Sequence, residues 1–263
     1  MTTRSGAGPA APSVPLSLPS PRGRRALLRA ALGGTAVLGA GLVAAPAAAA
    51  AAPAPPAPGP AAMTARGGPR PTTPAEALRE LARGNRRWRS RHQTHPDESA
   101  AARVAAVSGQ HPFALVLGCI DSRVPPELVF DQGLGDLMTV RSAGEVLDEA
   151  VLGSIAYGVL ELAIPLVVVL GHQSCGAVAA AVRAEETGER PPAHIDYIAE
   201  RIRPAIDHTH TGAARIDATI TANVRRVRGL LAAEPDLAGR VATGRLAIVG
   251  ARYELSSQRV HRL

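Results

Sequence analysis

The sequence predicts an α/β fold: a mainly parallel central β-sheet flanked by helices, in a single domain over residues 74–263. Three observations point there. Short apolar runs alternate with segments of helical periodicity, and that alternation implies crossover connections between parallel strands. The run Leu166-Val167-Val168-Val169-Leu170 is apolar throughout, as a strand covered on both faces must be. Finally, the first 73 residues are so rich in Ala, Pro and Gly that they offer no periodic core to bury, which leaves the fold to the remainder of the chain.

The elements run in order along the chain. Residues 74–91 read as a helix, capped by Thr73, with Pro74 in its first turn and Leu78, Leu81 and Trp88 at helical spacing. A second helix is expected at 98–107 and strands at 112–118, 136–141 and 166–171. Between the last two strands, 145–163 reads as a helix with Val151, Ile155, Val159 and Leu162 along one side. Another helix starts at 174–183, two more lie around 194–207 and 214–231, and 246–255 closes the chain as a strand. No segment repeats another.

The leader has its own logic. Residues 1–52 read as an export signal and 53–73 as an Ala/Pro-rich linker. Arg24-Arg25 followed by Leu27-Leu28 resembles the twin-arginine class, although a Ser or Thr before the pair and a phenylalanine after it are missing. The apolar stretch 30–45 is shorter than the ~20 residues of a spanning helix, so cleavage and release are expected, with no stable membrane insertion afterwards. The alternatives are an alanine-rich extension and an uncleaved anchor. Five arginines and no acid fall within residues 1–50, so most of the net charge of +7 belongs to the leader. The rest of the chain has no long basic block, and aromatic residues make up only 2% of the whole, which argues against a nucleic-acid partner. The densest cluster, Arg83-Gly84-Asn85-Arg86-Arg87-Trp88-Arg89, reads as a solvated helix face.

The chemistry gathers at two strand ends. The cysteines number two, and each comes after an apolar run: Cys119-Ile120-Asp121-Ser122-Arg123 after the first strand, His172-Gln173-Ser174-Cys175-Gly176 after the third. In open α/β sheets ligands collect at the carboxyl ends of strands. If these two strands are neighbours, Cys119, His172 and Cys175 converge on one ion. Two thiolates and an imidazole suit zinc and leave a fourth position for water or for Asp121. Taken singly, a buried cysteine is a small hydrophobe and an Asp-x-Arg is a surface ion pair; the coincidence of both clusters at strand ends favours the metal. An exported chain with two cysteines invites a disulfide, but a zinc ion inserted before export would protect both thiolates.

With Gly118-Cys119-Ile120-Asp121-Ser122-Arg123-Val124-Pro125, Gly135-Asp136-Leu137, Val140-Arg141-Ser142-Ala143-Gly144 and Gly171-His172-Gln173-Ser174-Cys175-Gly176, the chain resembles the β-class carbonic anhydrases. Upstream, Gly84-Asn85-Arg86-Arg87-Trp88 is similar to a helix end of that family. The resemblance implies one zinc per subunit on Cys119, His172 and Cys175, and Asp121 and Arg123 as the catalytic pair. Asp121 would join the metal only in a closed state. It further implies hydration of carbon dioxide to bicarbonate, and homodimers or multiples of dimers. Gln132, Tyr157 and Gly176 are candidate substrate-binding residues. Ala177 departs from the family pattern, where a second glycine is usual. Two alternatives stay open: a hydrolase of carbonyl sulfide or carbon disulfide on the same scaffold, and a non-catalytic zinc protein.

Overall fold

The computed structural model describes residues 69–263. The expected export signal and residues 53–68 of the expected linker lie outside them. Five strands form one sheet: β1 (Ala114–Gly118), β2 (Leu137–Arg141), β3 (Leu166–His172), β4 (Ala247–Tyr253) and β5 (Val260–Arg262). Their order is β2-β1-β3-β4-β5, parallel except for β5, which runs antiparallel to β4. The strands β1 and β3 are adjacent, with Gly118 opposite Leu170. Their carboxyl ends therefore lie side by side, and both polar clusters meet there.

Both faces of β1 and β3 are buried, as the unbroken apolar runs require. On one face Val116, Val168 and Leu170 pack with Ala77, Leu81 and Phe130. On the other, Leu115, Leu117, Val167 and Val169 pack with Ile155 and Val159 of α4 (Glu149–Leu160) and with Val224 and Leu231 of α7 (Gly212–Ala233). Each fully buried Leu, Ile or Val contributes about 1.5–3 kcal/mol of transfer free energy. Gly171 sets how closely α7 approaches, since a Cβ there would lie 2.4 Å from the Val224 side chain.

The first helix, α1 (Pro74–Ser90), opens on a reciprocal capping box between Thr73 and Glu76. Its Gly84 rests on the Phe130 carbonyl, where a Cβ would stand 1.6 Å from the oxygen, so a glycine is needed for contact. Asn85 donates to Val129 O at 3.1 Å and accepts from Val260 N at 3.0 Å, tying α1 to the edge strand β5.

Several boundaries differ from expectation. The folded part includes Arg70, four residues before the expected domain start: its guanidinium donates to His111 O at 2.7 Å and Gly135 O at 2.6 Å and pairs with buried Asp136 at 3.3 Å. The helix expected at 98–107 is α2 (Ala100–Ala105) with a 3-10 turn, Ala106–Ser108, appended. The helix expected from 145 starts at 149, because Gly144 and Glu145 are left-handed at φ 62° and 54°. Two short helices, α3 (Pro126–Val129) and α8 (Pro235–Ala242), and the antiparallel strand β5 add to the expected elements. The remaining helices are α5 (Gly176–Thr187) and α6 (Ile195–Ile202). Among the described residues no helix is long and apolar enough to cross a membrane.

Candidate metal centre

Cys119 is the first residue past β1, His172 the last of β3, and Cys175 the N-cap of α5. Strand adjacency and one tight turn, in which Ser174 takes φ 57°, bring their ligand atoms within 4.8 Å of one another. All three side chains are buried, His172 completely. The two sulfurs are 3.9 Å apart and unbonded, nearly twice the ~2.05 Å of a disulfide.

The imidazole is oriented for a cation. Its Nδ1 lies 2.9 Å from Gln173 O, which fixes the proton on that nitrogen and leaves the Nε2 lone pair facing the thiols. Nε2 is fully buried without a hydrogen-bond partner, and an orphaned buried nitrogen is costly unless something binds it. Burial of two thiols poses a matching problem. The Cys119 thiol is brought down, chiefly by the hydrogen bond from Cys175 and further by the Gly144 N–H, against the pull of desolvation. Cys175 is pushed up by that same pairing and by its own burial. One thiolate is thus readily formed, and a second needs a cation between them. Two sulfurs and a free imidazole nitrogen fit zinc.

Beside this set stand Asp121 and Arg123. The guanidinium donates to both carboxylate oxygens, Nε to Oδ1 at 2.9 Å and Nη2 to Oδ2 at 2.7 Å, and the Arg123 backbone N–H adds a third bond at 2.9 Å. Such bidentate pairing holds the carboxyl at about 2, chiefly through the Arg123 side chain. Asp121 Oδ2 also lies 3.9 Å from His172 Nε2, so the carboxylate borders the metal set while both its oxygens are held by arginine. Arg141, at the end of β2, clamps the loop from below, donating to Cys119 O at 2.8 Å and to Asp121 O at 2.7 Å.

The other expected residues have separate surroundings. A Cβ on Gly176 would meet nothing within 4 Å, so the first turn of α5 borders open space next to Cys175. Gln132 is buried, donates to Phe130 O at 2.7 Å and lies against Gly84 of α1. Tyr157 is 53% exposed on α4.

Two features of the centre carry no motif. Glu145 is buried, and desolvation first, then the Cys119 charge, pushes its carboxyl well above the carboxylate range. It is also left-handed, which disfavours a side-chain-bearing residue by about 1–2 kcal/mol. Asn223 of α7, also buried, donates to Gly144 O at 2.9 Å. A buried Asn one turn from Thr219 and next to Val224 is the available signal; its partner becomes visible only once α7 is docked.

Comparison with known proteins agrees with this geometry. Residues 114–260 match the family model described as carbonic anhydrase. Carbonic anhydrase 2 of Mycobacterium tuberculosis is 43% identical over 190 residues, covering 72% of this chain and 92% of that protein. A carbonic anhydrase of Mycolicibacterium smegmatis is 42% identical over 191 residues, covering 72% and 93%. Among solved structures, one of two tetrameric β-carbonic anhydrases from the ascomycete Sordaria macrospora superposes with a TM-score of 0.57 at 22% identity, covering 61% of this chain and 85% of that one.

Proposed function

The chain belongs to the β-class carbonic anhydrases, and on that premise we propose that it catalyses the reversible hydration of carbon dioxide to bicarbonate and a proton. Its cofactor is zinc, with Cys119, His172 and Cys175 as the residues that would hold it. The ion supplies the Lewis acidity that makes water a nucleophile near neutral pH. The observation that carries the reading is the ionised Asp121 carboxylate, fixed by Arg123 at 3.9 Å from the metal-facing nitrogen of His172. A structural zinc site has no use for such a neighbour.

The chain's own groups divide the work. Asp121 is acceptor-only at neutral pH, so it takes a hydrogen bond from the attacking water and leaves an oxygen lone pair directed at the carbon. Arg123 holds both oxygens of that carboxylate; without it, Asp121 would be free to turn toward a bound ion and close the site. Carbon dioxide enters over the open side at Gly176, past the exposed Ile120. Gln132 and Tyr157 remain candidate residues for contacting substrate.

Stopped-flow hydration of the zinc-loaded chain, run beside steady-state assays on carbonyl sulfide and carbon disulfide, tests the reaction. Turnover of carbon dioxide well above the other two is expected. Turnover of a sulfur-containing gas alone would replace this reading with a hydrolase.

Two further readings rest on it. We infer a homodimer or a multiple of dimers, a reading supported by the tetrameric Sordaria relatives and by the exposed apolar side chains Leu128, Leu134, Tyr157 and Leu160. A stable, active monomer in sedimentation would overturn it. We also infer export through Arg24-Arg25; replacing both with lysine should retain the protein in the cytoplasm, and unchanged export would remove the twin-arginine route.

A further inference from the structure

The turn after β2 carries two left-handed residues in succession, Gly144 at φ 62° and Glu145 at φ 54°. The first suits glycine; the second is disfavoured for any residue with a Cβ. A backbone of that kind persists only when its surroundings hold it. Beside the local bonds from Glu145 N to Ser142 O and from Ser142 Oγ to Val146 O, a distant group reaches the turn: Asn223 on α7, whose Nδ2 donates to the Gly144 carbonyl at 2.9 Å from a fully packed position. It reaches that carbonyl because Gly171 lets α7 settle against the end of β3, with Val224 filling the space a Cβ would need.

The same turn points the other side of Gly144 at the metal set. Its N–H lies 3.4 Å from Cys119 Sγ, a normal span for a donor to sulfur. Hydrogen bonds to a ligating sulfur draw charge from it and tune the metal it holds. Two thiolates on one dication leave it a weaker Lewis acid than neutral imidazoles would, so a donor on one of them has a purpose.

Resting on the zinc reading above, we propose that Asn223 is a positioning residue for the metal centre: it fixes the Gly144-Glu145 turn so that the Gly144 amide donates to the Cys119 thiolate and takes charge off it. Its side chain touches neither substrate nor metal. The strain at Glu145 is the cost of aiming that amide.

The full-length protein loaded with an NMR-active cadmium isotope tests the contact directly. The Gly144 amide proton should show scalar coupling to the cadmium through Cys119 sulfur and slow exchange with solvent. A metal-loaded wild type without that coupling overturns the proposal. In Asn223→Leu, which keeps the side chain's size but loses the donor, the coupling should vanish. With cobalt in place of zinc, the sulfur-to-cobalt charge-transfer band should move to lower energy, because the sulfur lone pairs are no longer stabilised. Affinity for zinc should fall roughly 10–100-fold. A variant that unfolds cooperatively, binds one metal per chain and keeps both the coupling and the band position refutes the role of Asn223. Failure of zinc-loaded wild type to hydrate carbon dioxide would instead strike the reaction and leave these spectra as they are.

Discussion

The two halves of the centre are built to different standards. The half contributed by β3 and α5 is closed: His172 and Cys175 are almost wholly buried, one held by a backbone carbonyl, the other at a helix cap. The half beyond β1 begins the same way at Cys119 and then opens: Ile120 is 61% exposed and the Arg123 side chain 54% exposed. Metal retention needs ligands shielded from solvent, while a carboxylate that assists a reaction must be reachable by substrate. The boundary between holding the ion and using it thus runs between Cys119 and Asp121, two residues apart.

The largest effect should come from the closed half. His172→Ala removes a ligand and leaves two buried thiols with no imidazole; the protein should fail to retain zinc through gel filtration, and hydration should fall to background. Metal analysis alongside the rate distinguishes this from a change at the open half. Next comes Asp121→Asn, which keeps shape but loses the charge and exchanges one acceptor oxygen for an NH2 donor. Hydration should drop by about 10²–10⁴, the usual contribution of a positioned acid–base group, with zinc content unchanged. A variant that lost its zinc instead would make Asp121 a ligand and erase the boundary.

Arg123→Ala should act less strongly and through Asp121. Hydration should fall roughly 10–100-fold, as for loss of a group that orients a catalytic neighbour. The acid limb of the activity profile should also shift to higher pH, because the carboxyl loses the guanidinium that chiefly holds it at about 2. Wild-type turnover would remove the pair from the mechanism.

The smallest effect concerns stability. Glu145 has its folded pKa raised by burial, so its contribution is complete below the ordinary carboxylate range and is lost as pH rises toward the folded value. Glu145→Gln lacks that titration. The melting temperature of the variant should therefore gain on wild type from pH 5 to pH 8, and parallel curves would mean that the carboxyl is not held neutral.

The same division describes what the sequence makes legible. Cys119, His172 and Cys175 stand where two apolar runs break off, so a sheet placing those runs side by side brings the three together from local pattern alone. Asp121 and Arg123 travel with Cys119 on one loop. Their bidentate pairing follows a spacing of two residues, on a loop whose backbone Arg141 of β2 holds. Glu145 reads as the start of a helix, because its apolar neighbours Val151, Ile155 and Val159 have helical spacing. The left-handed backbone that delays the helix to Glu149 is held by tertiary packing, including the contact from Asn223 of α7. Asn223 is hidden for the same reason, since its partner is 79 residues away in the chain. Arg70 reads as linker because its partners, His111 before β1 and Gly135 and Asp136 before β2, lie in two loops that the fold alone brings near.

Under the proposed function, three buried ligands would hold a zinc ion and the Asp121 side would turn it to catalysis. Stopped-flow carbon dioxide hydration by the metal-analysed protein at pH 7 and pH 8.5 puts both halves to the test at once. One zinc per chain is expected, with hydration at pH 8.5 at or above the rate at pH 7. One zinc per chain with no hydration at either pH would contradict this division and make the centre structural.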